Sequence, residues 1–200
     1  MAKQKRDKSK KRDSILEAAI RAFREEGYDT TSMDRIAEIA NASKRTVYNH
    51  FASKELLFQS VISQLSDQIC TLKKIDYSPE RPLEEQLADF VEAKLATTQN
   101  PSLLGLIKVV LSVMIKDKEL AQKTIADVNC REDALVTWLE AAQKDGKLSI
   151  NDCEEAAKLF WSMVIGAFWW PAVLQAPLPE GERARQKQEL IKMFLKYYEV

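Results

Sequence analysis

The chain has little of what secreted, membrane-spanning and zinc-binding proteins require. It contains three cysteines, Cys70, Cys130 and Cys153, with no CxxC or Cys/His spacing. Neither a disulfide framework nor a zinc site is indicated, and a reducing cytoplasm fits best. The sequence has no uninterrupted apolar run of about 18 residues and no apolar segment at its N-terminus. We therefore expect no transmembrane helix, no secretory signal and no membrane partner. Buried or half-buried thiols are the favoured interpretation of the cysteines, and redox sensing is the alternative.

Residues that interrupt helices are also scarce. There are five glycines and six prolines in 200 residues, and all the prolines follow residue 78. No segment shows the alternation of a strand bounded by turns. The sequence therefore predicts an all-α protein with helices over residues 13–26, 32–40, 43–51, 54–72, 83–99, 102–116, 118–144, 152–174 and 182–198.

The chain as a whole lacks an excess of either charge, with 30 Lys and Arg against 30 Asp and Glu. The two signs are unevenly placed, because residues 1–54 carry a net charge of +5 and residues 55–200 a net charge of −5. This asymmetry indicates two parts with different tasks. Residues 3–12 hold seven basic side chains, one acid and no apolar residue. We predict a disordered basic arm over residues 1–12.

The most informative segment is residues 31–54, TSMDRIAEIANASKRTVYNHFASK. Two short predicted helices are separated only by Asn41 and Ala42, which is the length of a helix-turn-helix turn. Such a turn needs a residue that tolerates the left-handed backbone region, and Asn is the next choice after Gly. The predicted inner residues are small near the turn and larger beyond it: Ala37, Ala40, Ile36, Val47 and Phe51.

The outward residues of the second short helix are hydrogen-bonding and include no acid: Ser43, Lys44, Arg45, Thr46, Tyr48, Asn49 and His50. A helix that is merely solvated usually includes Glu or Asp. An acid-free face is suited to the major groove, where Arg and Lys read guanine and Asn reads adenine. Ser32, Ser43 and Lys54 lie at or beside helix N-termini, which favour phosphate. DNA binding is the favoured interpretation, and a packed helical hairpin with a solvated basic face is the alternative.

The segment GYDTTSMDRIAEIANASKRTVYNHFASKELLF resembles the N-terminal domain of the TetR/AcrR family of bacterial transcriptional regulators. The residues that carry the resemblance are Gly27, Tyr28, Thr31, Ser32, Ile36, Ala37, Ser43, Lys44, Tyr48, His50, Phe51, Ser53, Lys54, Glu55 and Leu56. Asn41 departs from the usual glycine. The resemblance implies a three-helix DNA-binding domain, assigned here to residues 13–54. A long fourth helix would join it to a larger helical domain for dimerisation and effector binding, within residues 55–200.

The resemblance also implies which residues contact DNA. Thr31, Ser32 and Lys54 would meet phosphate, and Arg35 would meet phosphate or the edge of the groove. The residues expected to face bases are Lys44, Arg45, Thr46 and Asn49, and those expected at the backbone or base edges are Tyr48 and His50. As the only histidine, His50 is predicted to donate to phosphate rather than to act as a pH switch or catalyst. The basic arm either follows the DNA backbone or minor groove or is a solvated leader.

Two helices of the second part are the predicted dimer surface, over residues 156–170 and 184–198. The first is apolar nearly all round, which is unfavourable at the edge of a monomer, and the second carries one apolar stripe. The predicted contact residues are Phe160, Gly166, Ala167, Trp170, Ile191, Phe194, Leu195 and Tyr198. A monomer that buries both helices in its own core is the alternative.

Large aromatic and methionine side chains of the second part are suited to an adaptable apolar effector pocket. The predicted lining is Phe90, Leu106, Val110, Met114, Trp138, Trp161 and Met163. For each of these residues taken alone, a place in the core is the more common role. The effector is expected to be a small hydrophobic or amphipathic molecule.

No catalytic motif is present: the sequence has one His, no Gly-rich phosphate loop, no GxSxG and no HExxH. We predict that the protein is not an enzyme and needs no cofactor or metal. The sequence thus favours a cytoplasmic, ligand-responsive repressor that binds a palindromic operator as a homodimer. The alternative function is a helical protein-interaction module whose basic N-terminal surface has no sequence-specific affinity for DNA.

Overall fold

The computed structural model describes residues 2–70, 75–117, 119, 122, 132–174 and 178–200, and across these residues the chain is helical without a strand. The helices are α1 (Ala2–Glu26), α2 (Met33–Ile39), α3 (Lys44–His50), α4 (Lys54–Cys70), α5 (Leu83–Gln99), α6 (Pro101–Lys116), α7 (Glu132–Lys144), α8 (Cys153–Val164), a π-helical turn (Ile165–Trp169), α9 (Trp170–Leu174) and α10 (Glu180–Tyr198). The all-α prediction is confirmed. Of the predicted helix over 118–144, most of residues 118–131 lie outside the described residues.

Helix α1 begins at Ala2, whereas the sequence predicts a disordered arm over residues 1–12. The physical reason lies in the composition of the arm. Residues 2–26 contain neither Gly nor Pro, and the Lys, Arg and Gln that fill the arm have favourable helix propensities. The helix is then followed by Gly27, whose φ of 86° is in the left-handed region that glycine tolerates best.

The predicted helix over 152–174 is interrupted by the π-helical turn. Cys153–Leu174 is, by length and composition alone, the described helical stretch that is apolar enough to cross a membrane. Core helices of water-soluble proteins pass the same test. Here Ala157, Phe160 and Val164 of α8 are fully buried against other helices of the protein.

The first of two compact units contains Met1–Gln68 and Gly105–Thr124. The predicted boundary follows residue 54, whereas this unit continues to Gln68. Most of α4 belongs to this unit, and its Leu57, Phe58 and Val61 side chains are fully buried. The Phe58 ring contacts Phe23 of α1 at 5.6 Å between centroids.

The second unit contains Ile69–Leu104 and Ile125–Val200. Its core is formed by α5, α7, α8, the π-helical turn and α10. The segment that leads into α5 is held by Gln86, whose fully buried amide nitrogen donates to the carbonyls of Ser78 and Arg81, each at 2.9 Å. Cys153, at the start of α8, is half-buried. Burial and the nearby Glu140 and Asp152 carboxylates raise the pKa of its thiol.

Candidate nucleic-acid interface

The turn between α2 and α3 has the backbone conformation that the sequence predicts. Asn41 has a φ of 46°, inside the left-handed region. The amide of Asn41 donates to Glu38 O at 3.1 Å, and the amide of Ala42 donates to Ala37 O at 3.0 Å. These two bonds form a Schellman cap, which satisfies carbonyls that the helix end leaves without partners. The prediction for Asn41 is therefore confirmed.

Each of the two helices begins with the predicted serine cap. The Ser32 hydroxyl accepts from the amide of Arg35 at 3.1 Å, and the Ser43 hydroxyl accepts from the amide of Thr46 at the same distance. The hydroxyl oxygens of Ser43 and Thr46 also lie 2.7 Å apart. Thr46 therefore helps to fix the first turn of α3 while it remains half-buried.

The inner faces of α2 and α3 are packed as predicted. Ile36 and Val47 are fully buried and Phe51 nearly so, with Ala37 and Ala40 buried beside the turn. Small residues at the turn allow the two helices to approach closely. This packing determines which face of α3 points outward.

The outward face of α3 presents Arg45, Tyr48 and Asn49. All three are exposed. Within the described part of the chain, none of their side chains makes a hydrogen bond or ion pair. His50 follows at the end of α3 and is half-buried. The guanidinium and amide groups on this face are of the kinds that form hydrogen bonds with base edges in the major groove.

Two cations of the predicted interface are paired with acids of the same unit. Arg35 Nε lies 2.7 Å from Glu26 Oε1, and its Nη1 lies 3.1 Å from Glu38 Oε2. Lys44 Nζ lies 2.8 Å from Asp34 Oδ1. The hydrogen bonds to Glu26 and Glu38 raise the pKa of Arg35, and the hydrogen bond to Asp34 raises the pKa of Lys44. Both side chains remain partly exposed, so a phosphate has access to them.

Two other predicted phosphate ligands, Thr31 and Lys54, point into the protein. Thr31 is buried, and its hydroxyl donates to Gly27 O at 2.6 Å. Lys54 is half-buried, and its Nζ donates to backbone carbonyls of the segment between α1 and α2. The structure thus places neither side chain on the outward face with Arg45 and Asn49.

The basic arm ends in two side chains that sequence reasoning did not assign to this site. Lys11 Nζ donates to Ala40 O at 3.2 Å and to Asn41 O at 3.1 Å, at the end of α2. The Arg12 guanidinium lies 4.9 Å from the centre of the Phe51 ring and donates to the Ser60 hydroxyl at 3.2 Å. A cation at a helix C-terminus is favourable. The sequence shows the basic charge of the arm, but it does not show which groups Lys11 and Arg12 contact.

A surface groove of about 500 Å³ runs beside α3. Its lining comes from α1, from the end of α3 and from α4: Arg12, Tyr48, Asn49, His50, Phe51, Ala52, Leu56, Gln59, Ser60 and Ser63. Tyr48 and Asn49 of the outward face of α3 therefore share the lining of this groove with the Arg12 cation of α1.

The structure assigns the predicted effector-pocket residues to different units. Leu106, Val110 and Met114 belong to the first unit, and the other four belong to the second. Phe90 contacts the rings of Trp138 and Trp161 edge-on, at 6.1 and 6.3 Å between centroids. These three side chains are core residues. The buried indole nitrogen of Trp161 has no hydrogen-bond partner in the described structure.

The predicted dimer residues also divide into two groups. Phe160, Ile191, Phe194 and Leu195 are buried in the core of the second unit, and Ala167 and Tyr198 are half-buried at its edge. Only Gly166 and Trp170 of the predicted set are exposed. The burial of the four core residues corresponds to the alternative given above, in which both helices serve the core of the monomer.

An exposed apolar face on the same helices was missed. Leu159 of α8 is 51% exposed, and Met193 and Tyr197 of α10 are 62% and 80% exposed. They line a cavity of about 710 Å³ together with Ser149, Ile150, Asn151, Asp152, Glu155, Ser162, Met163, Phe194 and Tyr198. The available signal was that α8 is apolar on more than one side. Within the described residues, no group of three His, Cys, Asp or Glu side chains is arranged to hold a metal ion.

Comparison with known proteins is consistent with this architecture. Residues 15–61 match the family model described as bacterial regulatory proteins, tetR family, and residues 85–200 match the model of the C-terminal domain of an AefR-like transcriptional repressor. The chain is 27% identical to the HTH-type transcriptional regulator RutR of Escherichia coli K12 over 163 residues, which cover 80% of this chain and 74% of RutR.

Two solved structures are similar over nearly the whole chain. A TetR family transcriptional regulator from Pseudomonas syringae pv. tomato is 35% identical, with a TM-score of 0.78, and the match covers 94% of this chain and 97% of that one. The flavonoid-responsive regulator FrrA is 29% identical, with a TM-score of 0.79, and the match covers 96% and 98% of the two chains.

Proposed function

The chain belongs to the TetR family of bacterial transcriptional regulators, and we propose that it is a repressor whose homodimer binds a palindromic operator and is released by a small effector. A single observation carries the DNA-binding part of this proposal. Helix α3 is fixed by its Ser43 cap and its buried inner face, while Arg45, Tyr48 and Asn49 stand outward with unused hydrogen-bonding groups.

The proposed roles of the interface residues follow from their exposure and from the chemistry of their side chains. Arg45 and Asn49 face bases, because Arg pairs with guanine and Asn with adenine in the major groove. Ser32, Ser43, Tyr48 and His50 meet the DNA backbone, and Thr46 fixes α3 beside the bases. Arg35 and Lys44 exchange their carboxylate partners for phosphate when DNA is bound. Because these ion pairs are exposed, little free energy is lost in the exchange.

Dimerisation is the second part of the proposal. Leu159, Trp170, Met193 and Tyr197 are exposed apolar side chains of α8, α9 and α10, and we propose that together they form the dimer face. Packing this face against a second copy would cover it. A dimer places two copies of α3 in successive major grooves, roughly 34–36 Å apart.

The effector part of the proposal concerns the second unit. Its aromatic side chains Phe90, Trp138 and Trp161 are packed together in the core, and we propose that a small hydrophobic or amphipathic molecule binds a state of the protein in which this apolar cluster opens. FrrA, a regulator that is similar over nearly the whole chain, is named as flavonoid-responsive. The effector would bind preferentially to a state of the dimer whose two α3 helices no longer match the operator spacing. Such a regulator works in the cytoplasm and has no catalytic role.

Operator binding is tested with DNA from immediately upstream of the gene. We would measure fluorescence anisotropy of that duplex, and of a shuffled duplex of equal composition, at rising salt. Retention of the upstream duplex at physiological salt, with loss of the shuffled duplex, is expected of a specific regulator. Equal and rapidly lost affinity for both duplexes would instead favour the protein-interaction module.

The effector is tested with the same complex. A panel of flavonoids and other small aromatic molecules is added, and both DNA release and the melting temperature are recorded. A true effector raises the melting temperature of the free protein, because it binds the folded state, and releases the operator. A panel that changes neither quantity would contradict the proposed effector class.

A further inference from the structure

The Lys54 ammonium has three protein acceptors. Its Nζ lies 2.8 Å from Tyr28 O, 3.3 Å from Asp29 O and 3.1 Å from Thr31 O. A lysine ammonium has three N–H groups and no others. Each of them therefore has an acceptor within the segment of residues 28–31, which joins α1 to α2.

The same ammonium also lies against an aromatic ring. Lys54 Nζ is 4.4 Å from the centre of the Tyr28 ring, within the range of a cation–π contact. That ring packs on Phe23 and Phe58, at 5.3 and 4.6 Å between centroids. The Tyr28 ring that contacts the Lys54 ammonium is therefore packed against core residues of the first unit.

Lys54 lies at a position in its helix that is unfavourable for a cation. It is the first residue of α4, where the helix dipole disfavours a cation. The helix therefore does not explain why a lysine is held there. The three carbonyls and the Tyr28 ring do, because each of them stabilises a positive charge.

These contacts join the two ends of the helix-turn-helix. Thr31 directly precedes Ser32, the cap of α2, while Lys54 closely follows Phe51, the end of α3. The ammonium thus ties the chain that enters α2 to the chain that leaves α3. The buried Thr31 hydroxyl strengthens the entry by donating to Gly27 O.

We propose that Lys54 is a positioning residue for DNA binding, which holds α2 and α3 in their binding orientation and makes no phosphate contact itself. This inference rests on the proposed operator binding. A lysine that contacts phosphate releases counterions, and the slope of log K against log salt changes by about 0.9 for each lost contact. A positioning lysine leaves that slope unchanged.

The test uses three variants of the full chain: Lys54→Met, Lys54→Arg and, as the matched control, Lys44→Met. Operator affinity is measured by anisotropy at several salt concentrations, and circular dichroism with urea unfolding reports the folded fraction. Lys44 is exposed and proposed to meet phosphate, so its replacement should reduce the slope by about 0.9 per half-site.

We expect Lys54→Met to weaken operator binding by about tenfold or more, the scale of lost hydrogen bonds to a charged group, at the wild-type slope. Lys54→Arg keeps the charge, but its planar fork does not fit three converging carbonyls on one small centre. It should therefore also bind more weakly at the wild-type slope. This variant decides the question if Lys54→Met does not fold.

Two results would overturn the inference. One is a folded Lys54→Met protein whose slope falls as that of Lys44→Met does. The other is a Lys54→Arg protein with full affinity, because arginine is an equally good phosphate ligand. Operator binding by the wild-type protein is measured in parallel. If the wild-type protein binds the operator specifically, either result contradicts only the role of Lys54; if it does not, the proposed function itself fails.

Discussion

The indole Nε1 of Trp138 donates to the side-chain oxygen of Gln86 at 3.1 Å, inside the core of the second unit. The same oxygen accepts from the amide of Ser78 at 2.8 Å. With the two bonds donated by its amide nitrogen, Gln86 satisfies four polar groups while it is 0% exposed. A residue predicted for an effector pocket, Trp138, is thus an anchored core residue.

Replacing Gln86 by Ala should lower the free energy of unfolding by about 3 kcal/mol or more. The change removes the Gln86 partner of the Trp138 nitrogen, the Ser78 amide and the Arg81 carbonyl, while Ser78 O keeps its bond from the Arg81 amide. A buried group left unpaired costs roughly 1–3 kcal/mol. Urea unfolding measures the effect. Gln99→Ala, at an exposed position of the same helix, is the control and should stay within about 0.5 kcal/mol of wild type. Equal effects of the two changes would contradict the anchoring role.

The turn of the helix-turn-helix gives a second stability prediction. Asn41→Ala should destabilise the first unit by about 1 kcal/mol, because an alanine in the left-handed region meets its own carbonyl. Asn41→Gly should be close to neutral or slightly stabilising, because glycine has no such penalty. Thermal unfolding of both variants separates the backbone effect from any loss of the asparagine side chain. If both variants lost stability equally, the Asn41 side chain itself would be what matters.

The features that sequence analysis predicted well are those decided by local backbone chemistry. Ser32 and Ser43 cap their helices and Asn41 forms the turn as predicted, because capping and the left-handed turn depend on neighbours within about four residues. The helix over 83–99 was predicted with its observed limits for the same reason. All the residues that determine such a cap or turn lie within about one helical turn of each other, so the sequence alone shows them.

The features that were missed depend on which elements approach each other. The sequence shows Lys11 only as part of a basic arm and Lys54 only as a predicted phosphate ligand, and the backbone carbonyls that bind them are brought close by the fold. The contacts of α10 are equally hard to predict from the sequence, because this helix is apolar on two sides. Phe194 and Met193 are both apolar, yet one faces the core and the other faces solvent. Periodicity detects an apolar side but does not identify its partner.

Base reading by α3 is tested by two substitutions. Arg45→Ala and Asn49→Ala should each cost about 1–3 kcal/mol of operator affinity and relax specificity at one base position per half-site. The measurement is binding to the operator and to single-base variants of it. Arg21→Ala is a matched control, because Arg21 is exposed on α1 and paired with Glu25. Loss of affinity without any change in base preference would show that these residues only position the protein.

The ion pair between Asp29 and Lys116 predicts how the stability of the protein changes at acid pH. The hydrogen bond from Lys116 lowers the pKa of Asp29 below its ordinary value of 3.8. Because the folded-state pKa is the lower one, the stabilisation is present above 3.8 and is lost as the pH falls through the folded-state value. Lys116→Met should return the Asp29 pKa toward 3.8, as followed by NMR of the carboxyl group.

The same variant should also change how stability depends on pH. Compared with Lys116→Met, the wild-type protein should lose more stability between neutral pH and the acid range, and high salt should reduce the difference because both side chains are exposed. Lys108→Met, also on α6 and exposed, is the control. An unchanged Asp29 pKa in Lys116→Met would show that the pair does not persist in solution.

The exposed apolar face of α8, α9 and α10 gives the prediction about assembly. Met193→Glu and Tyr197→Glu should convert the dimer to a monomer, because a carboxylate inside a dimer contact loses its hydration without a partner. Sedimentation velocity measures the change, and circular dichroism verifies that the fold is retained. Ile115→Glu is the matched control, since Ile115 is 85% exposed on α6 and lies outside this face. Operator affinity should fall when dimerisation is lost, because a monomer contacts only one half-site. A folded, fully dimeric Met193→Glu protein, or equal dissociation by Ile115→Glu, would exclude this face as the dimer surface.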